Sequence, residues 1–230
     1  METQESRGVL SYEAILVIVV TFFVSAFIGV IILVTLGTEA TLVLGELLIL
    51  IVPLSYLLYK RVNIKEFVRI DFNPKLILIG IACGALLLPL NSLIATALTA
   101  ILGNSSAVQD ANSLYTNLST TTPGLLAVAI SMTLAGICEE FAFRGFLQNA
   151  IFRNLQKNPK FSKYAFGVAV LVAAAAFGIF HLDPQFVYIL ATFLAGLVLG
   201  YIYHRWGYTT SATAHATMNL LVLVLLLLGL

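Results

Sequence analysis

The chain has 230 residues, of which 60% are hydrophobic and only 10% are charged, and its mean hydropathy is +1.01. Soluble domains carry about 25% charged residues, so this composition excludes an ordinary soluble protein and indicates an integral membrane protein. The net charge of +1, without a basic run, gives no reason to expect a nucleic-acid partner. Both cysteines, Cys83 and Cys138, lie in apolar segments, and we expect them to be free thiols that pack as small apolar residues.

Seven segments of the chain are long and apolar enough to cross a membrane as helices. A helix rises 1.5 Å per residue, so a hydrocarbon core about 30 Å thick needs about 20 apolar residues. No segment alternates apolar and polar residues as the strands of membrane barrels do. We therefore predict an all-α, polytopic membrane helical bundle with seven transmembrane helices, in which an eighth, interfacial helix stays open. The predicted spans cover residues 12–36, 41–59, 76–102, 123–150, 164–180, 186–203 and 209–230 of a single membrane domain, 1–230.

The basic residues are confined to alternate connections between the predicted spans. They precede span one and lie between spans two and three, four and five, and six and seven, whereas the other connections contain none. Because basic residues are retained on the cytosolic side of a membrane, this alternation predicts a cytosolic N-terminus and an external C-terminus. Only Arg144 falls inside a span. The other basic residues are Arg7, Lys60, Arg61, Lys65, Arg69, Lys75, Arg153, Lys157, Lys160, Lys163 and Arg205.

Span four contains the sequence EEFAFR, which begins at Glu139. Ionisable side chains inside a membrane are rare and energetically unfavourable unless they are paired. On a helix, Glu140 and Arg144 are four residues apart, so they share a face and can form a structural ion pair. Glu139 points about 100° away and has no partner in its own helix. The pair is compatible with a structural or a catalytic role, whereas the unpaired carboxylate of Glu139 favours a function.

Two further motifs place polar side chains in spans five and seven. His181 ends span five, one turn after Phe177, and His215 shares a face of span seven with Asn219. Such residues also hold membrane helices together, but a carboxylate, two imidazoles and an amide are the parts of a hydrolase. Glutamate and histidine could deprotonate a water, while the second histidine and the amide could stabilise an oxyanion. Glu139, His181 and His215 could instead bind Zn²⁺, or relay protons or metal ions in a transporter.

In this order on successive spans, the motifs EExxxR, FxxxH and HxxxN resemble those of the CPBP family, the CAAX proteases and bacteriocin-processing enzymes also called the Abi family. The chain carries them as EEFAFR, FGIFH and HATMN, within residues 135–219. The resemblance implies that Glu139 and His181 activate the hydrolytic water and that His215 and Asn219 form the oxyanion site. It also implies that Glu140 supports these residues, with Arg144 as its partner.

The same resemblance implies an intramembrane endopeptidase that hydrolyses a peptide bond in a membrane-associated peptide or protein. In one branch of the family the substrate is a prenylated CAAX tail. The expected partners are membrane lipid and this substrate, without nucleic acid, and the sequence leaves the oligomeric state open. The compact chain is expected in a prokaryotic plasma membrane, with its site opening to the cytosol. A transporter and a non-catalytic membrane immunity or scaffold protein are the alternatives.

The cofactor requirement has two possible answers, because members of the family are described both as zinc metalloproteases and as metal-free glutamate proteases. We expect a metal-free enzyme. A tight zinc site usually has three protein ligands that are held by further hydrogen bonds, and the sequence shows no such supporting set. If a metal is bound, its expected ligands are Glu139, His181 and His215.

The helical rise raises a geometric difficulty for a shared site. It places His215 about 10 Å from the inner surface and His181 about 25 Å from it. The two side chains meet only if span five is short or tilted, or if the inner segment 150–163 dips into the membrane. Glu46, inside span two, is a further intramembrane carboxylate to which the sequence assigns no role.

Overall fold

The computed structural model describes residues 8–229, and within this range the chain folds into helices joined by short connections. Seven of the described helices are long and apolar enough to cross a membrane, which confirms the predicted all-α membrane bundle. The protein is therefore an integral, multi-pass membrane protein. Arg7, part of the predicted orientation signal, and Leu230, the end of the predicted seventh span, lie outside the described residues.

The observed helices follow the predicted order, with two short helices between the spans. Neighbouring spans run in opposite directions, because no connection between them within residues 8–229 contains another helix long enough to cross the membrane. The spans are α1 (Ser11–Leu36), α2 (Thr38–Tyr59), α4 (Pro74–Leu102), a continuous helix that starts as α6 (Thr122–Glu139), α8 (Ala165–Phe180), α9 (Val187–Trp206) and α10 (Tyr208–Leu227). The short helices are α3 (Ile64–Val68) and α5 (Ser106–Leu118).

The fourth span is longer than predicted. After α6 the chain continues as a π-helical segment, Glu140–Gln148, and then as α7, Asn149–Gln156. The last part is polar, and it is held by its asparagines rather than by apolar contacts alone. The side-chain amide of Asn149 donates to the carbonyl of Phe67, and that of Asn154 donates to the carbonyl of Val9. These bonds tie the end of the long helix to the start of the chain and to α3.

The polar connection between spans three and four contains a helix that the sequence analysis did not predict. This helix, α5, has 13 residues and is too short to cross a membrane. Its first turn is capped by Ser105, whose hydroxyl accepts a hydrogen bond from the backbone N–H of Val108. Within the described residues, α3 and α5 are thus the helices that could supply the open eighth element, and both lie outside the spans.

Small residues let the spans that carry the motifs approach each other closely. A Cβ atom added to Gly136 of α6 would clash with the backbone nitrogen of Ala216 in α10. On the other side of α10, a Cβ on Gly80 of α4 would lie 2.8 Å from the carbonyl oxygen of Thr210. Helix α10 therefore packs closely between α4 and α6, at contacts where a side chain larger than that of glycine would not fit.

The GxxxG pattern of α9 makes its close contact within the chain. A Cβ on Gly196 would lie 3.1 Å from the Cβ of Ala174 in α8, and one on Gly200 would lie 3.0 Å from Val170 in the same helix. The side-chain amide of Gln148 also donates to the carbonyl of Gly200, over 2.9 Å. The pattern therefore joins α9 to α8 and to the π-helical segment.

Candidate active site

The ion pair expected between Glu140 and Arg144 is present and fully enclosed. The Arg144 guanidinium lies 2.7 Å from Glu140 Oε1, and both side chains have no exposed surface. The guanidinium carbon also lies 4.3 Å from the centre of the Phe177 ring, at cation–π distance. Two opposite charges are thus buried together where either one alone would be strongly unfavourable.

The pair sits in the π-helical segment, where the chain departs from the regular α-helix assumed in the sequence analysis. π-Helical turns are rare and are often found at functional sites. Here the segment starts at Glu140, directly after Glu139 closes α6. It therefore separates two adjacent carboxylates into different environments, one facing Arg144 and the other facing a cavity.

His215 links the two glutamates. Its Nδ1 lies 3.1 Å from Glu140 Oε1, and its Nε2 lies 3.7 Å from Glu139 Oε2. Because the carboxylate of Glu140 is paired with an arginine, it accepts a hydrogen bond, and Nδ1 must carry the proton that is donated. The second nitrogen of His215 is thereby directed toward Glu139, at a separation slightly longer than a direct hydrogen bond.

His181 follows the last residue of α8, where the helix ends. Its Nδ1 lies 2.9 Å from the carbonyl oxygen of Phe177. A carbonyl only accepts, so Nδ1–H donates and Nε2 is left with a lone pair. Rings on both sides hold the imidazole in place, with the Phe177 and Tyr188 centroids at 4.9 and 4.8 Å. His181 is therefore oriented with an unprotonated nitrogen that can accept a proton.

Asn219 lies one turn after His215 on α10. Its Nδ2 donates a hydrogen bond to the carbonyl oxygen of Met132, over 3.2 Å. One N–H of the amide is used to hold the side chain against α6, and the second N–H and the oxygen stay available. The amide can thus be fixed in place and still donate to a ligand.

The four residues predicted to act on the substrate line one cavity. It encloses about 530 Å³, and its wall includes Glu139, His181, His215 and Asn219. Phe177 lies between the two histidines. Its ring contacts the ring of His181, and its centre lies 5.8 Å from that of His215. Span five is short, because α8 has 16 residues, so His181 at its end reaches the cavity.

Glu46 of α2 also lines this cavity, and the sequence analysis did not assign it. One of its carboxylate oxygens, Oε2, is buried without a hydrogen-bond partner among the described residues. The only feature of the sequence that pointed to a role for Glu46 was its position inside a span. That position could not show that Glu46 shares a cavity with Glu139, because the two residues are 93 positions apart in the chain (139 − 46).

The arrangement of the donors does not match a three-ligand zinc site. Among residues 8–229, no three His, Cys, Asp or Glu side chains converge closely enough to hold a metal ion. Nδ1 of each histidine is directed to a protein acceptor, Phe177 or Glu140, an arrangement that metal-bound histidines also have, so the missing convergence alone distinguishes the two cases. We therefore derive no step through a metal from this geometry.

The cavity as a whole combines a few polar groups with an apolar wall. Alongside Glu139 and the histidines it is lined by apolar residues such as Ile49, Val187 and Leu199. A site of this kind can hold an apolar peptide segment and exclude bulk water while positioning a single water beside a carboxylate. Its chemistry fits hydrolysis of an acyl bond in a hydrophobic substrate.

A family model described as Rce1-like, type II CAAX prenyl endopeptidase, matches residues 121–221. The matched segment begins just before α6 and ends in α10, so it contains the three motifs and, except for Val222, the residues around the cavity that belong to α6, α8, α9 and α10. No curated protein matches the chain. No solved structure matches it either.

Proposed function

We propose that the protein is a CAAX-type intramembrane endopeptidase, because residues 121–221 match an Rce1-like family model and contain the motifs of the site. The single observation that supports the proposal best is the position of Glu139, an intramembrane carboxylate that lines a cavity with two histidines and an amide. A charge in this place is unfavourable, and a reaction that needs a base gives a reason for it.

In the proposed reaction Glu139 takes a proton from a water as the water oxygen attacks the carbonyl carbon of the scissile bond. His181, with its free Nε2, assists by accepting a hydrogen bond from the same water. The tetrahedral intermediate places a negative charge on the former carbonyl oxygen. The proton held by Glu139 then passes to the nitrogen of the leaving amine, the C–N bond breaks, and the carboxylate is restored.

His215 and Asn219 are proposed to stabilise the oxyanion. Both face the cavity, and Asn219 keeps an amide N–H that does not hold its side chain in place. His215 directs Nδ1–H to Glu140, so it donates to the oxyanion from Nε2 only in its doubly protonated form. Donors fixed in advance in a site that excludes water are worth more than donors that must reorient. Glu140 is assigned a positioning role, because its buried carboxylate accepts from His215 and is neutralised by Arg144.

The proposed substrate is a peptide or protein with a hydrophobic segment that the apolar wall of the cavity can hold. The family description names a prenyl endopeptidase, so a prenylated C-terminal peptide is one specific candidate. An unprenylated membrane peptide is the other, and both fit an apolar cavity of about 530 Å³.

The proposal is tested by a cleavage assay on purified protein in detergent, with a fluorogenic panel of prenylated and unprenylated peptides. We expect Glu139→Gln to reduce kcat by about 10²–10⁴-fold, the range that a positioned general base contributes. Glu39→Gln is the matched control, because this substitution removes the same charge at an exposed position of α2. Turnover by Glu139→Gln at the wild-type rate contradicts the proposed role of this residue.

The same assay decides whether the enzyme needs a metal. We propose a metal-free reaction, so activity is expected to persist after treatment with a chelator. Activity that is lost on chelation and restored by Zn²⁺ contradicts this part of the proposal and leaves the protease assignment intact.

A further inference from the structure

The basic residues of the described chain gather at one end of the bundle. Lys60, after α2, pairs with Glu13 at the start of α1, over 2.9 Å. Arg69, after α3, donates to the carbonyl oxygens of Tyr203 and His204 at the end of α9, over 3.1 Å each. The start of α1 and the ends of α2 and α9 therefore lie together, and we call this the basic end.

The remaining basic residues outside the spans belong to the same end. Arg153 of α7 donates to the carbonyl oxygen of Glu66 in α3, over 3.2 Å. Lys157, Lys160 and Lys163 follow in the connection from α7 to α8, and Arg205 lies in the last turn of α9. Of the described basic residues, only Arg144 lies away from the basic end, and it is enclosed with Glu140.

The cavity lies at the opposite end of the bundle. Its wall includes His181, directly after the last residue of α8, and Val187, the first residue of α9. The lengths of α8 and α9 separate these two positions from the basic end. On α2 the wall begins at Glu46, which is closer to the start of the helix, Thr38, than to its basic end at Tyr59. The cavity thus lies nearer to the connections that lack basic residues than to the basic end.

Helix α5 forms the roof of the cavity at this end. Four of its residues line the cavity, and their spacing of three and four residues places them on one helical face: Val108, Ala111, Asn112 and Tyr115. The roof is joined to the connection between α8 and α9, because the hydroxyl and backbone N–H of Ser106 both donate to Gln185 Oε1. A ligand that reaches the cavity from its own end must pass these two segments.

The distribution of charge between the two ends is strongly unequal. The connections at the cavity end, residues 37, 103–121 and 181–186, contain no lysine or arginine, and 103–121 and 181–186 contain Asp110 and Asp183. A difference of this kind in short connections determines which side of the membrane stays in the cytosol. The basic end is therefore expected to be cytosolic. In this fold a cytosolic N-terminus and a site that opens to the cytosol, both expected from the sequence, are incompatible.

We propose that the active-site cavity faces the extracytoplasmic side of the membrane and that its substrate is a peptide presented there, under α5. The inference deepens the proposed function, on which its substrate class rests. It favours an exported or outer-leaflet hydrophobic peptide over a prenylated tail that is made in the cytosol. The placement of the cavity itself depends only on topology, so it can be tested without any activity.

The test uses two matched serine-to-cysteine variants in a chain whose own cysteines are changed, Cys83→Ala and Cys138→Ala. Ser113→Cys lies at an exposed position of α5, and Ser162→Cys at an exposed position before α8. Spheroplasts of a bacterial host are treated with a charged maleimide that does not cross membranes. We expect labelling of Ser113→Cys in intact spheroplasts to exceed that of Ser162→Cys several-fold, and the difference to disappear after permeabilisation.

Labelling of Ser162→Cys but not Ser113→Cys in intact spheroplasts overturns the proposal, since the cavity would then face the cytosol. Equal labelling of both, or labelling of neither until permeabilisation, overturns it as well. These outcomes do not depend on catalysis, so they stay distinct from a failure of the protease assignment.

A second arm tests access by substrate. A peptide cleaved in detergent is lengthened with a charged tail that prevents passage through the membrane. We expect cleavage when it is added to intact spheroplasts, and a several-fold loss of cleavage with sealed inside-out vesicles until detergent opens them. The reverse pattern contradicts an extracytoplasmic cavity.

Discussion

The carboxylate of Glu140 contacts two side chains, one on its own helical segment and one on α10. It accepts from His215 over 3.1 Å and pairs with Arg144 over 2.7 Å. Removing it would leave a buried guanidinium without its counter-charge and would release the imidazole that faces Glu139. Stability and activity are therefore both expected to depend on this residue, but for different reasons.

Glu140→Gln is expected to destabilise the folded protein by about 3–5 kcal/mol, because one member of a buried ion pair is left unpaired. The double variant Glu140→Gln/Arg144→Met removes both charges and should recover most of this loss. Activity should stay low in both variants, since His215 loses its anionic acceptor. Thermal unfolding in detergent and the cleavage assay measure the two effects. A double variant that is no more stable than the single one contradicts the ion-pair argument.

Glu46 presents the opposite case, a carboxylate without a partner. A buried oxygen that lacks a hydrogen bond costs about 1–3 kcal/mol, and Glu46 Oε2 is in this situation within the described residues. We expect Glu46→Leu to raise the free energy of unfolding by a similar amount. Glu39→Leu, at an exposed position of the same helix, serves as the control. A melting temperature that falls in Glu46→Leu more than in the control contradicts the prediction.

At the level of single residues, the sequence was sufficient where pairs are close in the chain. Glu140 and Arg144 could be paired on a helical wheel, and Glu139 could be recognised as unpaired. The bond from His215 to Glu140 joins residues 75 apart. It depends on how α10 docks against the long fourth span, which helical periodicity does not specify. The same reason kept Glu46 without a role.

Among the elements, the long apolar spans were predictable because hydropathy and length identify them directly. The π-helical segment was not, since no residue pattern in EFAFRGFLQ distinguishes it from an ordinary helix. Helix α5 lies in a connection to which the sequence analysis assigned no helix. Its 13 residues carry only a short apolar face. This face lines the cavity, whose other walls come from helices distant in the sequence.

The docking of α10 against α6 can be tested through the glycine at their contact. Gly136→Ala is expected to destabilise the protein by about 1–3 kcal/mol, the usual effect of overpacking, because the added methyl group clashes with Ala216. It should also reduce kcat, since α6 carries Glu139 and α10 carries His215. Gly29→Ala is the matched control, because nothing lies within 4 Å of a Cβ built there. Equal stability of the two variants contradicts a tight contact between α6 and α10.

At the scale of the whole molecule, the cavity is closed by two segments that are distant in sequence. The hydroxyl of Ser106 in the α5 region lies 3.1 Å from Gln185 Oε1, between α8 and α9. If the substrate enters between these segments, movement of α5 is part of each turnover.

Joining the two segments should therefore stop the enzyme reversibly. In a chain without its native cysteines, Ser106→Cys and Gln185→Cys are linked by a short, disulfide-containing bifunctional reagent. We expect cleavage to be lost on cross-linking and restored on reduction, as measured by the fluorogenic assay. Each single variant treated with the reagent is the control. Full activity of the cross-linked protein would mean that the substrate enters between the spans instead.

The burial of the spans divides the chain into two parts. In the most apolar stretch of α1, α2 and α4, 17%, 11% and 17% of residues are buried, against 56%, 39%, 44% and 39% in the four later spans. Residues that face lipid are constrained mainly to be apolar, so leucine, isoleucine, valine and phenylalanine can replace one another there during evolution. Residues packed around the cavity are constrained in shape as well. The positions of the first three spans that face lipid are therefore constrained less in identity than in hydropathy, unlike Glu46 and Gly80, which face the cavity and α10. The segment that still matches a family model, 121–221, is the one that contains the more deeply buried spans.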